Sequence, residues 1–104
     1  MKYELVLESA KQYESRKHEI YKIGRYAVEV VDYLDNTFFI KIHREIVEYL
    51  PNIYCRDDSE MRVLGFDIQT TSYGALSADE IQKMIEGYNE AIEVVSVLTK
   101  RFVR

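Results

Sequence analysis

The chain has 104 residues and a net charge of −4, with 47% hydrophobic and 31% charged side chains. That balance excludes a disordered chain and suits one compact unit, residues 1–104, around one hydrophobic core. No run approaches the roughly 18 apolar residues of a membrane span, and "MKYELVLESAKQ" is too charged for a signal peptide. The expectation is a soluble, cytoplasmic protein.

In chain order, "KYELVLESAKQYESRK", residues 2–17, has the spacing of a helix. Tyr3, Val6, Leu7, Ala10 and Tyr13 recur at three and four residues with charged side chains between them. From residue 19 the period becomes two. Tyr26, Val28 and Val30 share one strand face in "YAVEVVDY", as do Phe38, Ile40 and Ile42 in "FFIKIH". "LDNT" between them supplies Asp35 and Asn36, which tolerate turn conformations, although the glycine preferred after Asn36 is missing. These residues predict a hairpin.

"REIVEYLPNIYCRDD" reads two ways. Ile46, Val47 and Leu50 suit a helical turn, whereas Val47 and Tyr49 suit an extended strand. Pro51 ends either one, because it lacks an N–H and restricts Leu50. Beyond the turn "RDDSE", residues 61–71 read as a strand with Leu64, Phe66 and Ile68 facing in. Gly74 lets the chain turn out of that strand. "SADE" is then a capping box, with Ser77 at the N-cap, Glu80 three residues on, and Asp79 adding negative charge to the first turn.

The helix that follows carries Ile81, Ile85, Tyr88, Ile92, Val95, Thr99 and Phe102 at alternating spacings of four and three. Met84, Ala91 and Leu98 widen the stripe. From 78 to 101 it measures roughly 36 Å, and Val94 and Val97 make its last third apolar on more than one face. Either the N-terminal helix or a second subunit is expected to cover that end. Val94, Val97, Leu98 and Phe102 are the residues a homodimer would use. The predicted fold class is α+β: an N-terminal helix, an antiparallel sheet of three or four strands, and a long C-terminal helix packed on it.

The charge is unevenly spread. Residues 1–25 carry a net of +2, residues 26–60 a net of −5, residues 79–99 a net of −4, and the last five a net of +3. An acidic middle argues against direct nucleic-acid binding, which needs a basic stripe, and favours a basic protein surface. Nine tyrosines and no tryptophan add amphipathic contact area. Glu29, Asp32, Asp35, Glu45, Glu48, Asp57 and Asp58, with Tyr73 of the "TTSYG" turn, are the candidate partner contacts.

Chemistry-bearing motifs are sparse. His18, His43 and the lone Cys55 show no CxxC, HxxxH or HExxH spacing, and the four glycines are isolated rather than grouped in a phosphate loop. A Cys55–His43 nucleophile pair would require folding to bring the two together. The expectation is a non-enzymatic chain with no metal, no cofactor and no membrane partner.

"DIQTTSYGALSADEIQKMIEGYNEAIEVVSVL", residues 67–98, resembles the C-terminal part of small accessory proteins of phages and mobile elements from Gram-positive bacteria. In those a strand ends in a "TTSYG" turn, followed by a capped helix with a "GYNEA" middle. The resemblance implies a protein-binding role in the host cytoplasm, with a host protein such as a Cas effector as partner, in the manner of anti-CRISPR inhibitors. It carries no functional residues across. The modest charge departs from strongly acidic nucleic-acid mimics. A self-associating structural protein is the second expectation.

Overall fold

The computed structural model describes residues 2–104. Six strands precede one helix: β1 (Val6–Gln12), β2 (Lys17–Ile23), β3 (Tyr26–Asp32), β4 (Phe38–Arg44), β5 (Ile53–Asp57), β6 (Val63–Ile68) and α1 (Ala78–Phe102). The first four form an antiparallel sheet in the order β1-β2-β3-β4, and β5 and β6 form a second, two-stranded sheet. The class is α+β.

Among the described residues there is no N-terminal helix. Residues 6–12 are instead an edge strand, and all seven are exposed. The cause is a β-bulge between Leu7 and Ser9: Leu7 opposes Tyr21, while Ala10 opposes Glu19. Tyr21 and Glu19 are two apart on one strand and share a face. Leu7 and Ala10, three apart, therefore share it too, which imitates helical spacing.

The hairpin of β3 and β4 is present as predicted, with Val28 opposite Ile42 and Val30 opposite Ile40. Its turn uses left-handed Leu34 (φ 63°) and Asn36 (φ 70°). Asp32 accepts from the Leu34 N–H at 2.8 Å, and Asp35 from the Thr37 N–H at 3.1 Å. The strand expected at 61–71 is shorter and pairs with β5 rather than joining the larger sheet. A register shift between Arg56 and Asp57 turns Val63 and Phe66 into the core and leaves Leu64 exposed, contrary to expectation.

The two sheets and the helix close on one cluster. Tyr26, Val28, Val30, Ile53, Val94 and Leu98 lie at its centre. The Tyr26 hydroxyl donates to the Pro51 carbonyl at 2.6 Å, so the polar tip of this fully buried side chain is satisfied. Phe102 sits edge-on to Phe38 and Tyr21, with ring centroids 5.5 and 6.5 Å away.

α1 begins at the capping box: the Glu80 N–H donates to Ser77 Oγ, and Glu80 Oε1 accepts from the Ser77 N–H. Its buried face is Gly87, Glu90, Ala91, Val94, Leu98 and Phe102. That face is rotated about 100° from the predicted stripe, at about 100° per residue. The last third of the helix is thus covered by the chain's own sheet. Val94, Leu98 and Phe102 are core residues, unavailable to a partner, and Val97 is half-buried beside them.

Candidate functional site

The segment joining β4 to β5, residues 45–52, is neither helix nor strand. Within it Tyr49 adopts φ 63°, which costs a non-glycine residue on the order of 1–3 kcal/mol and persists only where surroundings enforce it. Three contacts do so. The Tyr49 hydroxyl donates to Glu80 Oε2 at 2.5 Å. Its ring meets Tyr73 edge-on at 5.0 Å between centroids. Its carbonyl lies so close to α1 that a Cβ at position 87 would stand 2.1 Å from the Tyr49 oxygen. Only glycine fits there, which explains an otherwise unfavourable residue in mid-helix.

The Glu80 hydrogen bond pushes the Tyr49 phenol up to about 12. The same bond, with the Ser77 backbone, holds the Glu80 carboxyl below its ordinary range. One glutamate therefore both caps the helix and anchors the strained loop.

Tyr73 stands on the outer side of this anchor. Residues Thr70–Ala75 are all exposed and lie outside helix and strand, and Gly74 takes φ 70° as the chain bends toward the helix. Gln69 donates its N–H to the Asn52 carbonyl and Thr71 to the Tyr88 hydroxyl. Two grooves flank Tyr73. One, about 310 Å³, runs between Thr71–Gly74 and the helix residues Ile81 and Met84. The other, about 290 Å³, is lined by Arg44, Val47, Glu48, Tyr49 and Asn52, with Thr71 and Tyr73 as the shared wall. A larger cavity of about 500 Å³ beside Lys2, Tyr3 and Glu93 contains Arg25 and Glu90, which satisfy each other.

The remaining predicted contacts do not gather here. Glu29 lies on the sheet face away from the helix, 3.3 Å from His43 Nε2. Asp32, Asp35, Asp57 and Asp58 lie at the end where two turns adjoin through the Phe38 N–H to Met61 carbonyl bond. Asp35 is held low by the Thr37 hydroxyl and N–H. Asp58 is held low by the Arg62 and Glu60 N–H groups and the Arg62 guanidinium. Those two close turns. Of the seven acids, Glu45 and Glu48 belong to the loop that carries Tyr49, and Glu48 lines the groove.

His43 projects from the outer sheet face, whereas Cys55 packs half-buried against the core, so they do not meet. Burial pushes the Cys55 thiol up to about 11. Among the described residues no three His, Cys, Asp or Glu side chains converge as a metal site would require. Among the described residues no helix is long and apolar enough to cross a membrane.

Tyr73 stands out in the sequence as a candidate contact through the "TTSYG" run, whereas Tyr49 and Gly87 carry no such local motif. An isolated glycine within a strongly periodic helix was the available signal. No protein-family model, curated protein or solved structure matches the chain.

Proposed function

We propose that this chain is a non-catalytic protein-binding module whose contact surface is the pair of grooves divided by Tyr73. The observation that carries the reading is the strained, three-way-anchored Tyr49 supporting an exposed Tyr73. Strain of this kind is retained where a surface must be held in one shape. Tyrosine is also the residue that gives a contact large area at small entropic cost.

The partner would lay an extended segment along Thr70–Ala75, whose exposed backbone offers hydrogen bonds, and seat side chains in the two grooves. Glu48 at the rim favours a basic side chain on that segment. The narrower reading, inhibition of a host defence nuclease by a phage or mobile-element protein, rests on the resemblance of residues 67–98 alone.

The test compares tagged wild type with Tyr73→Ala and with Glu29→Lys/Asp57→Lys as baits in lysate of a Gram-positive host carrying CRISPR–Cas. A stoichiometric partner lost with Tyr73→Ala and retained by the double variant supports the grooves. A partner retained by Tyr73→Ala and lost by the double variant would move the site to the acids.

A further inference from the structure

We infer that the outer face of the four-stranded sheet, the side turned away from α1, binds single-stranded nucleic acid. Opposite residues of antiparallel strands share a side, so the register fixes which side chains meet there. One row is Lys11, His18, Val31 and Phe39, about 14 Å from the first strand to the fourth. The next rows set Lys41 beside Glu29 and Ile20, with Lys22 beyond them. Phe39 is 49% exposed and Ile20 42%. At the Lys11 end the β1–β2 turn brings Tyr13 and Arg16 to the same corner. The Tyr13 ring lies 4.9 Å from that of His18, and the Lys11 ammonium and Arg16 guanidinium lie 5.2 and 5.1 Å from its centroid. Arg16 also donates its Nε–H to His18 Nε2 at 3.0 Å.

Charge selects the occupant. The outward strand positions carry Lys11, Lys22 and Lys41 against Glu29, a net of +2, and Arg16 joins them through Tyr13 and His18, whereas the whole chain is −4. Glu8 sits at the β-bulge, outside these rows. The acids that weigh against nucleic acid in the linear sequence fall elsewhere. Of those in residues 26–60 only Glu29 faces outward on this sheet; Asp35 and Asp58 close turns, and Glu45 and Glu48 stand in the β4–β5 segment. Solubility accounts for the lysines but not for an exposed phenylalanine and isoleucine among them. A single strand engages both: its phosphates meet the cations, and its bases stack on open rings, since every base has a π-face. A groove of about 260 Å³ lined by His18, Ile20, Glu29 and Val31 adds apolar walls between the strands. None of these residues lines the Tyr73 grooves, so the face is a second, independent surface.

The test is fluorescence anisotropy with labelled single-stranded DNA and RNA of about 12 nucleotides, within the usual site size of such surfaces. Either probe should bind, with log affinity falling against log salt at a slope of about −3, from four cations at about 0.7 each. Phe39→Ala should weaken binding about tenfold. Lys22→Glu/Lys41→Glu should weaken it by about tenfold or more and flatten the salt slope, while Glu29→Gln, which removes the opposing charge, should strengthen it. All four sites are exposed, so thermal unfolding should stay near wild type. A duplex of the same length carries more charge but hides its base faces, and should bind more weakly. No binding of either strand at about 50 mM salt, a duplex bound as tightly, or an unchanged affinity in Phe39→Ala would each overturn the inference. Capture by phosphatidylserine vesicles with no oligonucleotide bound would overturn it too, and make the face a membrane contact.

Discussion

Glu90 holds Arg25 from across the fold: one carboxylate oxygen accepts the Arg25 backbone N–H at 2.7 Å, and the other lies 2.8 Å from both Nε and Nη2. The pair clasps the β2–β3 turn to the middle of α1. The glutamate side chain is buried, whereas the arginine is 40% exposed, so its worth is below that of a fully buried pair. We expect Arg25→Ala and Glu90→Ala each to lower unfolding free energy by about 2 kcal/mol in urea titrations. The double variant should cost clearly less than both together, because the two losses are one interaction.

Gly87→Ala should destabilise the protein although alanine favours helices by about 1 kcal/mol. The new methyl has the Tyr49 carbonyl in its way, and moving backbone in a packed site costs typically 1–3 kcal/mol. Ser77→Ala, which removes only the cap, should cost about 1 kcal/mol. Thermal unfolding of the two variants side by side checks both signs. A Gly87→Ala protein more stable than wild type would contradict the close approach.

The Tyr49–Glu80 bond gives a pH signature. Glu80 is depressed in the folded state, so its contribution is complete above its ordinary value of 4.5 and fades as pH falls through the lower folded value. Tyr49 is raised, so its contribution is complete below 10 and is lost as pH climbs toward about 12. Wild type should therefore exceed Tyr49→Phe in stability by a constant margin between those limits. The margin should narrow on both sides, as measured by denaturation midpoints across pH.

Cys55 should resist thiol reagents. With its thiol pushed up to about 11 by burial, little thiolate exists at neutral pH, and it is the thiolate that reacts. Labelling should be slow in buffer and complete in denaturant, as followed by mass spectrometry. Rapid labelling of the folded protein would contradict its placement against the core.

The β3–β4 hairpin and the helix cap were legible because each rests on local chemistry: alternation over seven residues, an Asp-Asn turn, and serine followed three residues later by glutamate. The N-terminus was not, because a single bulge at Leu7–Ser9 converts strand alternation into apparent helical spacing. The helix itself was legible, and its buried face in part: Ala91, Leu98 and Phe102 of the predicted stripe are buried, whereas Gly87 and Glu90 lie outside it. Periodicity found the isoleucine stripe, whereas the packed face is set by Gly87, where backbone meets backbone. Tyr73 is a candidate from the sequence because it stands in the unusual "TTSYG" run. Tyr49 was hidden, since its part in the site depends on Glu80, 31 residues away.

The most direct measurement is a photo-crosslinking amino acid placed at Tyr73 and, as control, at Phe39, which is exposed on the sheet face away from the helix. Both probes would be expressed in cells of the organism that carries the gene. A single protein trapped from position 73 and absent from position 39 is the result this account predicts. Crosslinks from position 39 with none from position 73 would place the contact surface on the sheet and contradict it.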